Sequence, residues 1–197
     1  MSWMKDLAPD LICVAGFSKK IPPGILQIPV MGVLNIHSGP LPAFRGAHPF
    51  YYLVKDSRAP GGVTIHWMNE KLDDGNIIQF IPVKLLQGMN LATYNELCAY
   101  HAAMVLPDLL TEMESGNRPA GTSNNGANAM NCRNPGLTLL DETIPVEVAL
   151  WLFNAYSDVL IFEAVLKSGN MKITKLSKSE FQDSTPLHLK DGVVYIQ

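Results

Sequence analysis

The chain has 197 residues, of which 47% are apolar and 17% are charged, a composition that excludes a disordered chain. The formal net charge of -3 argues against a general nucleic-acid-binding surface. No apolar run approaches the roughly 20 residues of a membrane span, and the N-terminus lacks a signal-peptide pattern. We therefore expect a cytoplasmic protein without membrane contact, long enough for one ordinary domain plus a small appendage.

The first part of the chain predicts a strand, a short helix and a second strand. Residues 2–7 resemble the last turn of a helix, and the apolar run at residues 11–15 is typical of a buried parallel strand. A proline pair can start a short helix at residues 24–27, and the second strand is expected at residues 32–36. In open α/β sheets, ligands bind where such strands end.

The next predicted elements are a helix at residues 47–56 and strands at residues 63–68 and 77–83. Asn90 or Thr93 can then cap a long helix that runs to about Ser115.

Beyond this helix the composition changes. Asn117 to Pro135 is rich in Gly, Asn and Ser, which is typical of a linker or a surface-hugging loop. Thr143 can cap a helix from about residue 145 to residue 167, with Gly169 and Asn170 as its end. Short strands at residues 171–176 and 187–196 and an Asp-Gly hairpin turn at residues 190–192 are expected to follow. We therefore divide the chain into an α/β sheet domain (residues 1–118), a linker (119–136) and a small helix and β-hairpin module (137–197).

The three cysteines, Cys13, Cys98 and Cys132, are odd in number, widely separated and without a CxxC pair. We predict buried free thiols in a reducing compartment. The histidines show no metal-ligand spacing, and we predict no metal site.

The end of the second strand carries chemically useful side chains. Alternation places Asn35 and His37 on the same side of the strand end. Asp73, in a second turn beside Gly75, is the natural third member of the group. An amide, an imidazole and a carboxylate offer a hydrogen-bond donor, a proton donor and a base, which are the groups needed to transfer an acyl group to an amine.

Four spaced motifs carry a family resemblance: Asn35-x-His37, Leu41-Pro42-x-x-Arg45-Gly46, Gly62-Val63-Thr64-Ile65-His66 and Leu72-Asp73-x-Gly75-x-Ile77. In this order they resemble the folate-dependent formyltransferases, which include the methionyl-tRNA, glycinamide ribonucleotide and sugar N-formyltransferases. The resemblance covers residues 9–116 strongly and residues 137–197 weakly. It implies a Rossmann-like formyltransferase sheet, here partial, followed by the small C-terminal module.

The resemblance implies that Asn35, His37 and Asp73 are catalytic and that 10-formyltetrahydrofolate is the formyl donor. It also implies that the pterin lies between two backbone segments. The residues matching those segments are Phe17, Ser18, Lys19, Lys20, Ile21 and Leu26 on one side, and Asn69, Glu70, Lys71 and Leu72 on the other. Arg45 and Gly46 are expected to shape the loop beyond the catalytic strand.

The chemistry agrees with these roles. When an amine attacks a formyl carbon, the formyl oxygen becomes negative, and Asn35 and a protonated His37 can stabilise it, each by roughly 3 kcal/mol in a dry site. Asp73 can hold His37 in its charged form and accept the proton of the amine. Asp74 is the weaker candidate, because the family motif places its aspartate two residues before the glycine.

One feature departs from the family pattern. Only 34 residues precede Asn35, whereas family members begin with a strand, a Gly-containing turn and two further βα units before this strand. The first predicted strand is therefore expected to have an open edge. A truncated gene product, a homodimer or second chain covering that edge, and a protein that has lost activity are the three explanations.

The acceptor stays open at this point. A small amine, such as a nucleotide-linked amino sugar, is the first hypothesis, and methionyl-tRNA is the alternative, disfavoured by the acidic balance and the short C-terminal segment. A non-catalytic binding or assembly module and an amide hydrolase that uses water as its acceptor are the competing classes. His66 is interpreted as a packing or hydrogen-bonding residue of its strand.

Overall fold

The computed structural model describes residues 2–17, 19–56, 59–126 and 130–197. In chain order its elements are α1 (Ser2–Leu7), β1 (Ile12–Ala15), α2 (Pro23–Leu26), β2 (Val33–His37), β3 (Phe44–Arg45), α3 (Pro49–Lys55), β4 (Gly62–Trp67), β5 (Ile77–Pro82), α4 (Leu91–Glu114), β6 (Met130–Asn131), β7 (Leu137–Leu140), α5 (Val146–Tyr156), β8 (Ile161–Leu166), β9 (Gly169–Lys172), β10 (Leu176–Ser177), β11 (Thr185–Leu189) and β12 (Gly192–Ile196).

The largest sheet has the strand order β1-β2-β4-β5, in which β1 and β2 are parallel and the other neighbours are antiparallel. These are the four segments predicted as strands in the first part of the chain. Leu34 of β2 and Ile65 of β4 pack with Leu109 and Met113 of α4. Because side chains alternate along a strand, the residues between these apolar ones face away from α4, and they form the polar face described below.

The starts of helices α3 and α4 follow from the local sequence. Helix α3 begins at Pro49, where the missing N–H of proline costs no helical hydrogen bond. Helix α4 begins after Asn90, whose side chain accepts a 2.8 Å hydrogen bond from the N–H of Thr93. Of the two predicted caps, Asn90 is therefore the one used.

The long helix predicted from residue 145 to residue 167 is wrong in its second half. Helix α5 ends at Tyr156, and residues 161–166 form strand β8, parallel to β7 and antiparallel to β9. Gly169 and Asn170, predicted to end a helix, belong to the hairpin that joins β8 to β9. An apolar run without a clear period fits either a helix or a buried strand, and pairing with β7, which was not predicted, decides for the strand.

The predicted cap of α5 is also wrong. Thr143 donates to the carboxylate of Asp141, and a residue distant in sequence accepts the hydrogen bond from the first N–H of the helix. The N–H of Val146 donates to Asp191 at 2.7 Å. Asp191 lies in the turn between β11 and β12, the predicted hairpin, which the structure confirms.

The segment predicted as a linker or surface-hugging loop lies against the sheet domain. Thr122 pairs with Ile77 beside β5, and β6 runs parallel to β3. Farther along, Phe50 of α3 packs against Trp151 and Tyr156 of α5, so one apolar core extends into the C-terminal part. The division into domains at residues 118 and 136 stays a prediction.

Cys98 and Cys132 are buried free thiols, as predicted, whereas Cys13 is exposed, so its predicted burial is wrong. Cys13 lies on β1, where side chains alternate between the two faces of the sheet, and Cys13 and Ala15 are on the exposed face. Among the helices of the described ranges, none combines the length and apolarity needed to span a membrane.

Candidate active site

The pairing of β2 with β4 creates a polar patch on the face opposite α4. Asn35 lies directly across from His66, and His37 lies across from Thr64. Opposite residues of antiparallel strands have neighbouring side chains. The Asn35 amide accordingly reaches His66 Nε2 at 3.1 Å and Asp73 Oδ1 at 3.2 Å.

Asp73 joins these residues from the loop between β4 and β5. It has a positive φ of 48°, and Gly75 lies so close to β4 that a Cβ there would be 1.8 Å from the carbonyl oxygen of Trp67. Glycine is therefore required at position 75 for the loop to fold back onto the strand. Asp73 is 8% exposed, and its carboxylate accepts a 2.8 Å hydrogen bond from the N–H of Gly46.

His37 is held at both ring nitrogens. Its Nε2 lies 2.7 Å from the carbonyl oxygen of Phe44, so Nε2 carries the donated proton, because a carbonyl can only accept. Its Nδ1 lies 3.6 Å from Asp73 Oδ2. In the neutral ring Nδ1 is an acceptor, and it faces the Asp73 carboxylate, which is also an acceptor. The His37–Asp73 pair can therefore bind one more proton between these two atoms.

The charge states follow from burial and from these contacts. Burial lowers the pKa of His37, and the opposing effects of the Asp73 carboxylate and the Phe44 carbonyl do not offset it. The expectation that Asp73 holds His37 in its charged form is therefore wrong, and the neutral imidazole is favoured. For Asp73, burial alone would raise the pKa, but interactions with His66, with His37 and with the N–H of Gly46 outweigh it, so the pKa is lowered and the carboxylate stays ionised.

His66 is a site residue that the sequence interpretation placed only in a strand. Its Nδ1 lies 2.7 Å from the carbonyl oxygen of Trp67, which leaves Nε2 as the acceptor for Asn35. Nε2 is also 3.7 Å from Asp73 Oδ1. Because His66 lies two residues after Thr64, alternation places both side chains on the same face of β4. Only the register of β4 against β2 places His66 beside Asn35.

A pocket opens directly beside these residues. Its lining combines Asn35, His66 and Asp73 with residues predicted to hold the donor, namely Phe17, Lys19, Lys20, Ile21, Asn69, Lys71 and Leu72, and with Val14 and Met68. Leu26, on α2, and Glu70 do not line this pocket, and Ser18 lies outside the described residues. Most of the two predicted segments therefore face each other across one opening.

Arg45 and Gly46, expected to shape the neighbouring loop, both contact the Asp73 loop. Gly46 binds the Asp73 carboxylate, as described, and Arg45 forms a 2.5 Å ion pair with Asp74. Asp74 thus has a partner away from His37. Within the described residues no group of His, Cys, Asp and Glu is arranged to hold a metal ion.

An amide, two imidazoles and a carboxylate on one face of an α/β sheet, beside an open pocket, offer the hydrogen-bond donors and the base that acyl transfer requires. The model of the Formyl transferase family matches residues 1–110, more than half of the chain. The chain belongs to this family, which confirms the resemblance inferred from the motifs.

Two relatives and one solved structure illustrate the similarity. Methionyl-tRNA formyltransferase of Bacillus velezensis is 35% identical over 112 residues, which are 57% of this chain and 35% of the relative. That of Ehrlichia canis is 29% identical over 189 residues, which are 96% of this chain and 60% of the relative. The formyltransferase PseJ from Anoxybacillus kamchatkensis, solved with UDP-4,6-dideoxy-4-formamido-L-AltNAc and tetrahydrofolate, is 25% identical, with 64% of each chain covered and a TM-score of 0.53.

These matches confirm the predicted Rossmann-like α/β formyltransferase fold. The chain spans 35% to 39% of the length of the first curated relatives that it matches.

Proposed function

We propose that this chain transfers a formyl group from 10-formyltetrahydrofolate to an amine, with Asn35, His37 and Asp73 as the catalytic residues. The observation that carries the proposal is the convergence of these three side chains beside the pocket lined by the predicted donor-binding segments. Asn35 and Asp73 line the pocket, and His37 does not line it but lies 3.6 Å from the Asp73 carboxylate. A relative of known structure, PseJ, is solved with tetrahydrofolate.

The pocket suits the chemistry of a folate. Phe17 and Leu72 are each 56% exposed and both line the opening, so apolar surface is available to cover a flat heterocycle. Lys19, Lys20 and Lys71 in the same lining can attract the carboxylates of a folate tail. The bound folate supplies an activated formyl group, and the chain supplies the groups that orient the reactants and move the proton.

The His37–Asp73 pair is the proposed proton acceptor. Neutral His37 donates its Nε2 proton in a hydrogen bond to the Phe44 carbonyl, and its unprotonated Nδ1 faces Asp73 Oδ2 as an acceptor. A proton released by an attacking amine can therefore be taken up by this pair, directly or through water.

Asn35 is the proposed donor to the formyl oxygen. Both of its N–H groups are directed to His66 and Asp73, so one of these hydrogen bonds has to be exchanged when the amide serves a substrate. The Asn35 amide then makes as many hydrogen bonds as before, and one of them reaches the formyl oxygen, where negative charge develops.

For the acceptor we propose a nucleotide-linked amino sugar, supported by the formamido sugar nucleotide in the PseJ structure. Methionyl-tRNA is the second candidate, supported by the Ehrlichia canis relative, which aligns with 96% of this chain. A cytoplasmic location and a homodimer or second chain at the open edge of β1 remain predictions.

The test has two stages. Calorimetric titration of the purified chain, at a measured oligomeric state, with a stable 10-formyltetrahydrofolate analogue is expected to give a saturable complex. Formyl transfer is then assayed with amino-sugar nucleotides and, in parallel, with methionyl-tRNA over a salt series, because tRNA binding weakens steeply with salt.

A folded chain that binds no analogue and transfers no formyl group would contradict the proposal and favour a non-catalytic module. Transfer to methionyl-tRNA alone would replace the proposed acceptor by the second candidate. Formate release without any amine would instead identify a hydrolase that uses the same residues.

A further inference from the structure

Asn124 lies in the Gly-, Asn- and Ser-rich segment after α4, far in sequence from the residues of the site. It is only 2% exposed. Its side-chain Nδ2 donates to two main-chain carbonyls, that of Asp73 at 2.8 Å and that of Gly75 at 3.0 Å. One amide group thus binds the backbone on both sides of Asp74.

The orientation of this amide is determined by its partners. Both neighbouring atoms are carbonyl oxygens, which accept hydrogen bonds only, so the NH₂ group has to face them. The Asn124 Oδ1 atom is buried and has no hydrogen-bond partner among the described residues. The contacts that Asn124 does make are therefore those to the Asp73 loop.

The loop that Asn124 binds needs such support. Asp73 has its positive φ there, and non-glycine residues in this region carry a backbone cost. The two carbonyls would otherwise lack these hydrogen bonds in a buried setting, and unpaired buried carbonyls are costly. The strained conformation is the one that directs the Asp73 carboxylate toward His37.

Arg45 connects Asn124 to the rest of the site. One guanidinium nitrogen binds Asp74 at 2.5 Å, and the other donates to the main-chain carbonyl of Asn124. The next residue, Gly46, donates its N–H to the Asp73 carboxylate at 2.8 Å. The loop is thus held by β3 on one side and by the segment after α4 on the other.

We propose that Asn124 is a positioning residue, which holds the Asp73 carboxylate against His37 through its paired hydrogen bonds to the carbonyls of Asp73 and Gly75. This inference rests on the proposed function, since it assigns Asn124 to the proton-accepting pair of that reaction. Asn124 itself touches no reacting atom in this role.

The test compares Asn124→Ala, which removes both donors, with Asn125→Ala, the same truncation at the exposed neighbouring residue. Asn124→Ser, which keeps a single donor, is the milder second variant. The first readout is the pKa of the His37 imidazole, followed by NMR and assigned by the loss of its signal in His37→Gln. Asp73→Asn supplies the reference value for a site without the carboxylate.

The sign of the expected shift follows from the groups around His37. The Asp73 carboxylate raises the pKa of His37, whereas His66 and burial lower it. Displacing the carboxylate therefore lowers the pKa of His37 further, toward its value in Asp73→Asn. We expect this shift in Asn124→Ala, a smaller one in Asn124→Ser and none in Asn125→Ala.

The second readout is kcat with whichever acceptor the transfer assay described above yields. A displacement of about 1 Å can cost about 10²-fold in rate, and a loss of this size is expected for Asn124→Ala at temperatures where the variant is folded. Affinity for the folate analogue is expected to change less than kcat, because Asn124 does not itself line the pocket, although Asp73 does.

An unaltered His37 titration and an unaltered kcat in folded Asn124→Ala would overturn the inference, even if its melting temperature were lower, since a purely structural role changes stability alone. If the wild type transfers no formyl group, the proposed function fails, and the NMR titration still decides whether Asn124 positions Asp73. If Asn124→Ala does not fold, the same two readouts on Asn124→Ser decide.

Discussion

His37 Nδ1 lies 3.6 Å from Asp73 Oδ2, while the opposite nitrogen of the same ring is bound to the carbonyl of Phe44 at 2.7 Å. The ring can therefore gain or lose a proton only on the side that faces Asp73. Both side chains are almost fully buried, so the interaction is little screened by solvent. This relationship makes the pair the centre of the predictions below.

If the proposed formyl transfer takes place, replacing Asp73, its proposed general base, by Asn is expected to lower kcat by about 10² to 10⁴-fold, the usual contribution of such a group. The amide keeps the shape of the side chain and can still accept from the N–H of Gly46. Steady-state kinetics with the folate donor measure the loss. Asp74→Asn removes the same charge one residue away, where the carboxylate pairs with Arg45, and an equal loss in that variant would contradict the assignment.

The free energy of unfolding should decrease as the pH falls below about 6.5, the ordinary pKa of histidine. The pKa of His37 is lowered in the folded state by burial, so the unfolded chain binds more protons in this range and acid favours unfolding. The lowered pKa of Asp73 extends the effect to more acidic pH.

Urea denaturation between about pH 5 and pH 8 measures this slope. In His37→Gln the slope below pH 6.5 should shrink by up to about 1.4 kcal/mol per pH unit, the effect of one proton. His188→Gln, at an exposed position, should keep the wild-type slope. Identical slopes in the wild type and in His37→Gln would refute the buried neutral state of His37.

Gly75→Ala is expected to destabilise the fold by at least about 2 kcal/mol, as overpacking of a tight site does. The added Cβ would lie 1.8 Å from the carbonyl oxygen of Trp67, and that atom belongs to the backbone of β4. Gly24→Ala is the matched control, because a Cβ there meets nothing within 4 Å. Thermal or urea unfolding of both variants checks this, and similar stabilities would show that the Asp73 loop does not depend on close approach to β4.

Leu72→Ala is expected to weaken binding of a 10-formyltetrahydrofolate analogue by roughly 10 to 100-fold. This corresponds to about 1.5 to 3 kcal/mol for the burial of a leucine side chain by the ligand. Leu86→Ala is the control, since Leu86 is 54% exposed against 56% for Leu72 and lies outside the pocket. Calorimetry gives both values of Kd, and equal affinities would place the donor elsewhere.

Some parts of the fold follow from local sequence. The strands of the main sheet are apolar runs bounded by Gly and Pro, and α4 begins where Asn90 can bind the N–H of Thr93. The Asp191-Gly192 hairpin is equally local. The second half of the predicted long helix is different, because its apolar residues fit a helix or a strand, and only the distant pairing with β7 selects strand β8.

The same division holds for the candidate site. Its sequence alone determines that Asn35 and His37 share one face, since side chains alternate along a strand, and the motif spacing points to Asp73. The tertiary structure decides that His66 stands opposite Asn35 and that Asn124 binds the carbonyls beside Asp73. Strand register and contacts between distant segments leave no periodic signal in the chain, because they depend on how completed elements pack against one another.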